Sequence, residues 1–305
     1  MTLKASGTSL LRWSPAQPVA RRISRHSFVS LAYHSVLDAR SFEKHIEYLV
    51  SNYHPVSLDE AIKAISARSA LPARSVLVTF DDGDKTIIQN ALPAMKRRGV
   101  PGVLFAVADY VDSDRPYWWE EVSDLVSRGG RIEGWPQLDA DVVVHRLKRE
   151  TQERRLTALE ELRQTATSSS NQAARCLSAV ELRTLDAEGI AIENHTLTHP
   201  SLDQCDADTI VQEIEQAHTQ LAGILGHEPV AFAYPGGYYA HRARAVLESL
   251  GYRAAFLFDH RLNPLPIADP LRISRVRIDA GAPVDRLAVI LSGLHPALLH
   301  VMGRV

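Results

Sequence analysis

Ser75-Val76-Leu77-Val78-Thr79-Phe80-Asp81-Asp82-Gly83 decides how this chain is read. The apolar run is a strand, and it ends on two adjacent carboxylates that exit into a glycine turn. Side chains alternate along a strand, yet at such an exit both can reach one mouth. One carboxylate can then bind a metal ion while the other accepts a proton from a water beside it. Asp-Asp-Gly is also a frequent surface turn. The strictly apolar strand before it argues for a rim position instead.

Outward from this strand the same rhythm recurs. Apolar strands are predicted at 28–33, 103–107, 190–193, 230–234, 254–258 and 273–278, and amphipathic helices at 41–51, 57–68, 86–98, 206–225, 240–250 and 284–294. Ser57 with Glu60, and Ser178 with Glu181, read as capping boxes. Gly99, Gly189, Gly226 and Gly251 read as helix stops. Strand–helix alternation of this kind predicts an α/β fold around a parallel sheet, consistent with a β/α barrel. Such barrels gather their chemistry at the C-terminal strand ends. His34, Asp81 with Asp82, His195, and Tyr234 with Pro235 all fall at predicted strand ends.

Residues 110–175 break the rhythm. Tyr117, Trp118 and Trp119 lead one helix, and 139–167 reads as a long charged helix or a pair. We expect a helical insertion packed on the main fold, with too few large apolar residues for a core of its own. The first 27 residues carry five cationic side chains, Lys4, Arg12, Arg21, Arg22 and Arg25, and no acid before Asp38. They read as a mobile basic arm at 1–27 ahead of a domain at 28–305, with peripheral contact to an anionic membrane as the sharper alternative.

His195-Thr196-Leu197-Thr198-His199-Pro200 supplies two imidazoles at i, i+4 spacing. Pro200 and the strand before His195 favour a turn that aims both rings inward. With 13 histidines in the chain some coincidence is expected, so the pairing with Asp-Asp-Gly at a shared rim carries the metal reading.

These two stretches resemble the first two motifs of the NodB-homology polysaccharide deacetylases, carbohydrate esterase family 4. Thr-Phe-Asp-Asp-Gly stands unbroken at 79–83, and His-Thr-Leu-Thr-His-Pro at 195–200. The resemblance implies a distorted (β/α)7-type barrel, with Asp81 as general base and Asp82, His195 and His199 as metal ligands. It implies one divalent ion, Zn²⁺ first, with Co²⁺, Ni²⁺ or Mn²⁺ as alternatives. The implied reaction is removal of an N-acetyl group from an amino sugar in a glycan, glycolipid or glycoside. A deacylase or deformylase of another linear amide, and a catalytically dead carbohydrate-binding barrel, are the alternatives.

The third family motif departs from its usual Arg-x-Pro-Tyr. Here Ala233-Tyr234-Pro235-Gly236 stands in its place, which is similar to the branch containing poly-N-acetylglucosamine deacetylases. That branch is circularly permuted, and the permutation points to His34 rather than His295 as the acid that protonates the leaving amine. The backbone near Tyr234, Pro235 and Gly236 is the expected oxyanion contact. Arg275 or Arg277 is the expected replacement for the missing arginine. Trp118 and Trp119, with Tyr117, Tyr238 and Tyr239, either anchor the insertion to the barrel, as aromatics more often do, or form a sugar-stacking wall.

Composition limits the alternatives. With 45% hydrophobic and 23% charged residues the chain is globular, and its net charge of -2 gives no field to draw nucleic acid. Two cysteines make no disulfide framework, and no apolar run of membrane-spanning length occurs; a cytoplasmic protein, peripheral to the membrane at most, is the expectation.

Overall fold

The computed structural model describes residues 10–167 and 175–295. In chain order its main elements are α1 (Ala16–Ile23), β1 (Val29–Tyr33), α2 (Ala39–Asn52), β2 (His54–Pro55), α3 (Leu58–Ser66), β3 (Ser75–Asp82), α4 (Leu92–Arg98) and β4 (Gly102–Ala106). Then follow α5 (Trp118–Ser127), α6 (Ala140–Leu147), α7 (Gln152–Thr165), α8 (Ala179–Ala187), β5 (Ile190–Asn194) and α9 (Ala207–Leu225). The chain continues through β6 (Ala231–Ala233), α10 (Ala243–Ser249), β7 (Ala254–Phe256), β8 (Val276–Arg277) and α11 (Val284–Leu291). Both capping boxes form, Ser57 with Glu60 on α3 and Ser178 with Glu181 on α8.

All strand pairings are parallel, in the order β7-β6-β5-β4-β3-β1-β8, with β2 beside the start of β3. The sheet curls into an open barrel with helices around it. The first strand in sequence is not an edge: β1 lies between β3 and β8, so the residue after it, His34, leaves the sheet beside the carboxylates of β3. The strand expected over 273–278 is broken. Ile273 bridges to β7, its N–H donating to Ala255 O and its O accepting from Leu257 N at 2.8 Å each, while only β8 pairs with β1. Arg275, between the two pairings, is fully buried.

β3 shows why its end is a site. Val76, Val78 and Phe80 belong to the larger core beneath the helices, whereas Leu77 belongs to a second core with Val103, Phe105, Ala233 and Phe256. Ile62 and Ile65 of α3 join that second core. Alternation would send Asp81 inward with Leu77 and turn Asp82 away. Asp82 adopts φ +74°, a left-handed conformation uncommon outside glycine, and this reverses it toward the mouth.

Two expectations are corrected. The insertion does have a small core of its own: Trp118, Val122 and Leu125 of α5 pack with Val143 and Leu147 of α6 and Leu159 and Leu162 of α7. Short apolar faces on three helices suffice because the barrel supports the assembly from one side. The segment expected as a mobile arm contains α1, which docks through the buried Gln17 onto Ala288 and Ser292. Residues 1–9 of that arm lie outside the described residues.

Candidate active site

Asp82, His195 and His199 converge at the mouth, each offering a ligand atom within 4.8 Å of the others. His195 Nε2 and His199 Nε2 stand 3.7 and 3.6 Å from Asp82 Oδ1. His195 is aimed by its other nitrogen, Nδ1, which lies 2.8 Å from the Ala233 carbonyl; as donor there it leaves Nε2 as a lone pair toward the site. Burial lowers both histidines; Asp81 and the Ala233 carbonyl offset it in part at His195, whereas His195 adds to it at His199, and the neutral rings so favoured are fit to ligate.

The loop that carries the second ring is tightly specified. Thr196 and His199 both take positive φ. Asn194 Oδ1 accepts from Thr196 N at 2.7 Å, Thr196 Oγ1 from His199 N at 3.0 Å, and Glu213 of α9 grips Thr198 through N and Oγ1 at 2.8 and 2.6 Å. The insertion completes the grip. Arg155 of α7, 4% exposed, donates to the His199 carbonyl at 3.2 Å, and the Trp119 ring lies 4.6 Å from that of His199.

Do these residues suit a divalent cation? Asp82 Oδ1 is buried and without a hydrogen-bond partner, though it faces two imidazoles. Burial, then the neighbouring charge of Asp81, pushes the Asp82 carboxyl up to about 8. One carboxylate and two neutral imidazoles at this spacing are a zinc-type donor set with positions left for water or substrate.

Asp81 is held differently. Arg275 clasps it in a fork, Nη1 to Oδ1 at 2.6 Å and Nη2 to Oδ2 at 2.8 Å. Arg275 is itself oriented by Leu257 O and Thr79 Oγ1, both at 3.0 Å. Burial alone would raise Asp81, but Arg275, with His195 and His34, more than offsets it and holds the carboxyl below its usual value. Of the two arginines expected to replace the missing motif residue, Arg275 is therefore the one that meets Asp81. Arg277 pairs with Asp279 at 3.5 Å, both half-exposed or more.

A pH test follows. In Arg275→Met the desolvated Asp81 loses its cation, so its pKa rises and the acidic limb of kcat/KM moves to higher pH; Arg275→Lys moves it less. An unmoved limb in a folded Arg275→Met would remove Arg275 from this role.

The cleft around these groups holds about 720 Å³, and His34, Tyr117, Trp119, Gly236 and Tyr238 line it together with both carboxylates. His34 is half-buried, edge-on to Phe258 at 5.8 Å. Burial lowers it to about 4 against the opposing pull of Asp81. His295 does not line the cleft.

Two expected contacts are not made. Trp118 is buried in the insertion core with Arg155 over its ring at 4.7 Å, and only its neighbour Trp119 faces the cleft. Adjacent helical residues point about 100° apart, so the pair could not share one wall. Tyr234 is fully buried toward α10 and bonds Leu271 O at 3.3 Å, and its N–H is spent on Phe256 O. Pro235 has no N–H. Gly237 N donates to Tyr234 O at 2.8 Å, and a Cβ at Gly237 would lie 1.9 Å from Phe258 Cβ. Gly236 is the member of this turn that lines the cleft with an N–H not spent on Tyr234 or Phe256.

Sequence reading missed Arg155, Glu213 and Lys148. Lys148 follows α6 and lines the cleft, and burial lowers its ammonium against the pull of Asp82. None carries a spacing signal, because Arg155 and Lys148 reach the site from the insertion and Glu213 from a barrel helix, which meet the histidine loop only in three dimensions.

The sequence profile described as polysaccharide deacetylase matches residues 68–135 and 140–255, a stretch containing Asp81, Asp82, His195 and His199. The chain belongs to the polysaccharide deacetylase family. A Bacillus subtilis protein named as a polysaccharide deacetylase, YxkH, is 27% identical to this chain over 111 residues, 34% of this chain and 40% of that one. The poly-beta-1,6-N-acetyl-D-glucosamine N-deacetylase of Staphylococcus epidermidis is 33% identical over 81 residues, 26% of this chain and 27% of that one. The chain thus matches less than half the length of either relative. The structure of IcaB from Ammonifex degensii shares the fold, with a TM-score of 0.60 over 88% of this chain and 97% of that one at 20% identity. The curled parallel sheet is the NodB-type barrel expected from the two motifs.

Proposed function

We propose that this deacetylase is a divalent-metal-dependent hydrolase that removes N-acetyl groups from amino sugars of a glycan, a glycolipid or a glycoside. The observation that carries the reading is the division of labour between two adjacent carboxylates. Asp81 is matched by Arg275 and stays ionised, while Asp82 is left unmatched beside two neutral imidazoles. A base and a ligand set are thereby separated within one dipeptide.

Asp82, His195 and His199 would hold the ion, which when bound polarises the amide carbonyl and acidifies water; Zn²⁺ suits the donors best. Asp81 takes the proton of the attacking water. Both its oxygens are already bonded to Arg275, yet a carboxylate has about four acceptor positions, so room remains. The Gly236 N–H, at the wall of the cleft, is the backbone donor available to the developing oxyanion. His34 protonates the departing nitrogen. Lowered to about 4, His34 is neutral at pH 7 and must collect a proton during turnover; Asp81, which takes the proton of the water and whose charge favours the imidazolium, can supply it. Trp119 forms one flank for a sugar, and the buried Tyr117, stacked on it at 4.8 Å and 6°, holds it in place.

His34→Ala is expected to lower kcat by about 10²–10⁴, the usual contribution of a proton donor, with little change in bound metal. His295→Ala should be nearly silent. Equal losses in the two variants would overturn the assignment of the acid.

The function itself is tested by mass spectrometry of N-acetylglucosamine oligomers incubated with zinc-loaded protein. Loss of acetyl groups supports the reading; loss of formyl from N-formyl analogues alone would move it to another amide. Cys176 and Cys205 are both free and buried, compatible with a reducing compartment, and we place the protein in the cytoplasm. Among the described residues no helix is long and apolar enough to cross a membrane.

A further inference from the structure

α1 is built the wrong way round for an ordinary surface helix. Its inward side is polar: Gln17, 2% exposed, donates to Ala288 O at 3.0 Å and accepts from Ser292 Oγ at 2.9 Å. Its apolar side faces out. Val19 and Ile23, one turn apart, are 58% and 78% exposed, and Leu10 and Trp13 just before them are 76% and 78% exposed. Surface helices normally turn their apolar stripe to the core. Exposed large apolar side chains gathered on one short stretch, two of them, Trp13 and Val19, along one groove, mark a contact site.

The same stretch is cationic and without ion pairs, its arginines meeting only neutral partners such as the Trp13 and Tyr53 rings and Asn52. Arg12, Arg21, Arg22, Arg25 and Arg74 line one groove with Trp13 and Val19. Among the described residues none of the five has a carboxylate within ion-pair distance, and the residues outside the described ones include no Asp or Glu. Elsewhere surface arginines do find partners, as in Arg97–Glu43 and Arg98–Glu47 at 2.6 Å. On a chain of net charge -2, this is a local concentration of positive charge beside exposed apolar side chains.

Position adds a constraint. Arg74 N donates to Arg25 O at 2.7 Å, and these residues lead into β3 and β1. The patch therefore lies at the N-terminal ends of the strands, the end of the barrel opposite the mouth.

We propose that this face seats on an anionic lipid bilayer. Leu10, Trp13, Val19 and Ile23 enter the boundary between headgroups and acyl chains, and the arginines meet lipid phosphates. Shallow apolar insertion and a polybasic patch are each weak alone and sufficient together. Docked this way, the barrel holds its mouth toward the water, roughly 26 Å from the bilayer by the length of a strand such as β3. The substrate would then be a chain that extends away from the membrane, not a headgroup lying in it. The docking itself rests on no assignment in the active site, so its failure leaves the catalytic reading intact.

The test is sedimentation of the full chain with vesicles of phosphatidylcholine, with and without phosphatidylglycerol. We expect co-sedimentation with the anionic vesicles only, weakened as salt is raised. Arg22→Gln and Arg25→Gln should each weaken binding about fivefold. Val19→Ser with Ile23→Ser should weaken it without any change of charge. All four side chains are exposed, so thermal unfolding should be unchanged, which separates lost docking from lost fold. Wild-type protein that stays in the supernatant with anionic vesicles, or variants that bind as wild type, would overturn the proposal. So would a dimer in sedimentation velocity that the same substitutions dissolve, because the face would then belong to a second copy.

Discussion

Asp81→Asn should leave a chain that still binds one metal ion but releases acetate at least about a thousandfold more slowly. Asn keeps the size of the side chain and one acceptor for Arg275. It cannot take a proton from water. The loss should therefore appear in kcat and kcat/KM together, as for a group used only in the transition state. The substitution also leaves Arg275 buried without its countercharge. Breaking such a pair costs about 3–5 kcal/mol, although Leu257 O and Thr79 Oγ1 still accept from the guanidinium. Activity must accordingly be compared at a temperature where the variant is folded. Retained turnover in folded Asp81→Asn would make some other group the base.

Asp82→Asn should do the opposite to binding and to stability: metal stoichiometry falls toward zero, acetate release is lost, and the metal-free chain becomes more stable. A carboxyl raised to about 8 in the folded state, from about 4 unfolded, binds its proton more tightly when folded. Between those values the native state holds more protons than the unfolded state, so stability of metal-free protein falls as pH rises from about 4 to about 8. Below that window the contribution is intact, and above it the full penalty, of order a few kcal/mol, is present. Asn removes the titration and tolerates the left-handed backbone at this position. Thermal unfolding in chelator across this range should slope downward for wild type and be flatter for Asp82→Asn. Parallel slopes would mean that Asp82 is not the unmatched acid described above.

The two variants separate what a single short stretch placed side by side. Thr79 to Gly83 was legible because an apolar strand has only one way to deliver a polar end. What the sequence did not reveal was how Asp82 turns, since alternation alone sends it from the mouth and only the positive φ returns it. His195 and His199 were legible as a pair. The grip on their loop was not, because Glu213 and Arg155 arrive from α9 and from the insertion.

Tyr234 was misplaced for a reason visible in hindsight. In Ala231-Phe232-Ala233-Tyr234 the small residues face the barrel interior and the aromatic ones face α10, the ordinary period of two. Trp118 and Trp119 posed the matching problem on a helix, where neighbours diverge and sequence does not say which one faces the cleft. His34 depended on topology: only the placement of β1 between β3 and β8 brings the first strand of the domain to the centre of the site.

The account turns on whether the Asp82, His195 and His199 cluster makes this chain a metal-dependent amide hydrolase. Acetate release from N-acetylglucosamine oligomers, followed on chelator-stripped protein as Zn²⁺ is added back, tests this most directly. The account predicts no release from the stripped chain and full release at one ion per chain, with neither in Asp82→Asn. Undiminished acetate release from protein shown by elemental analysis to be free of metal would contradict it.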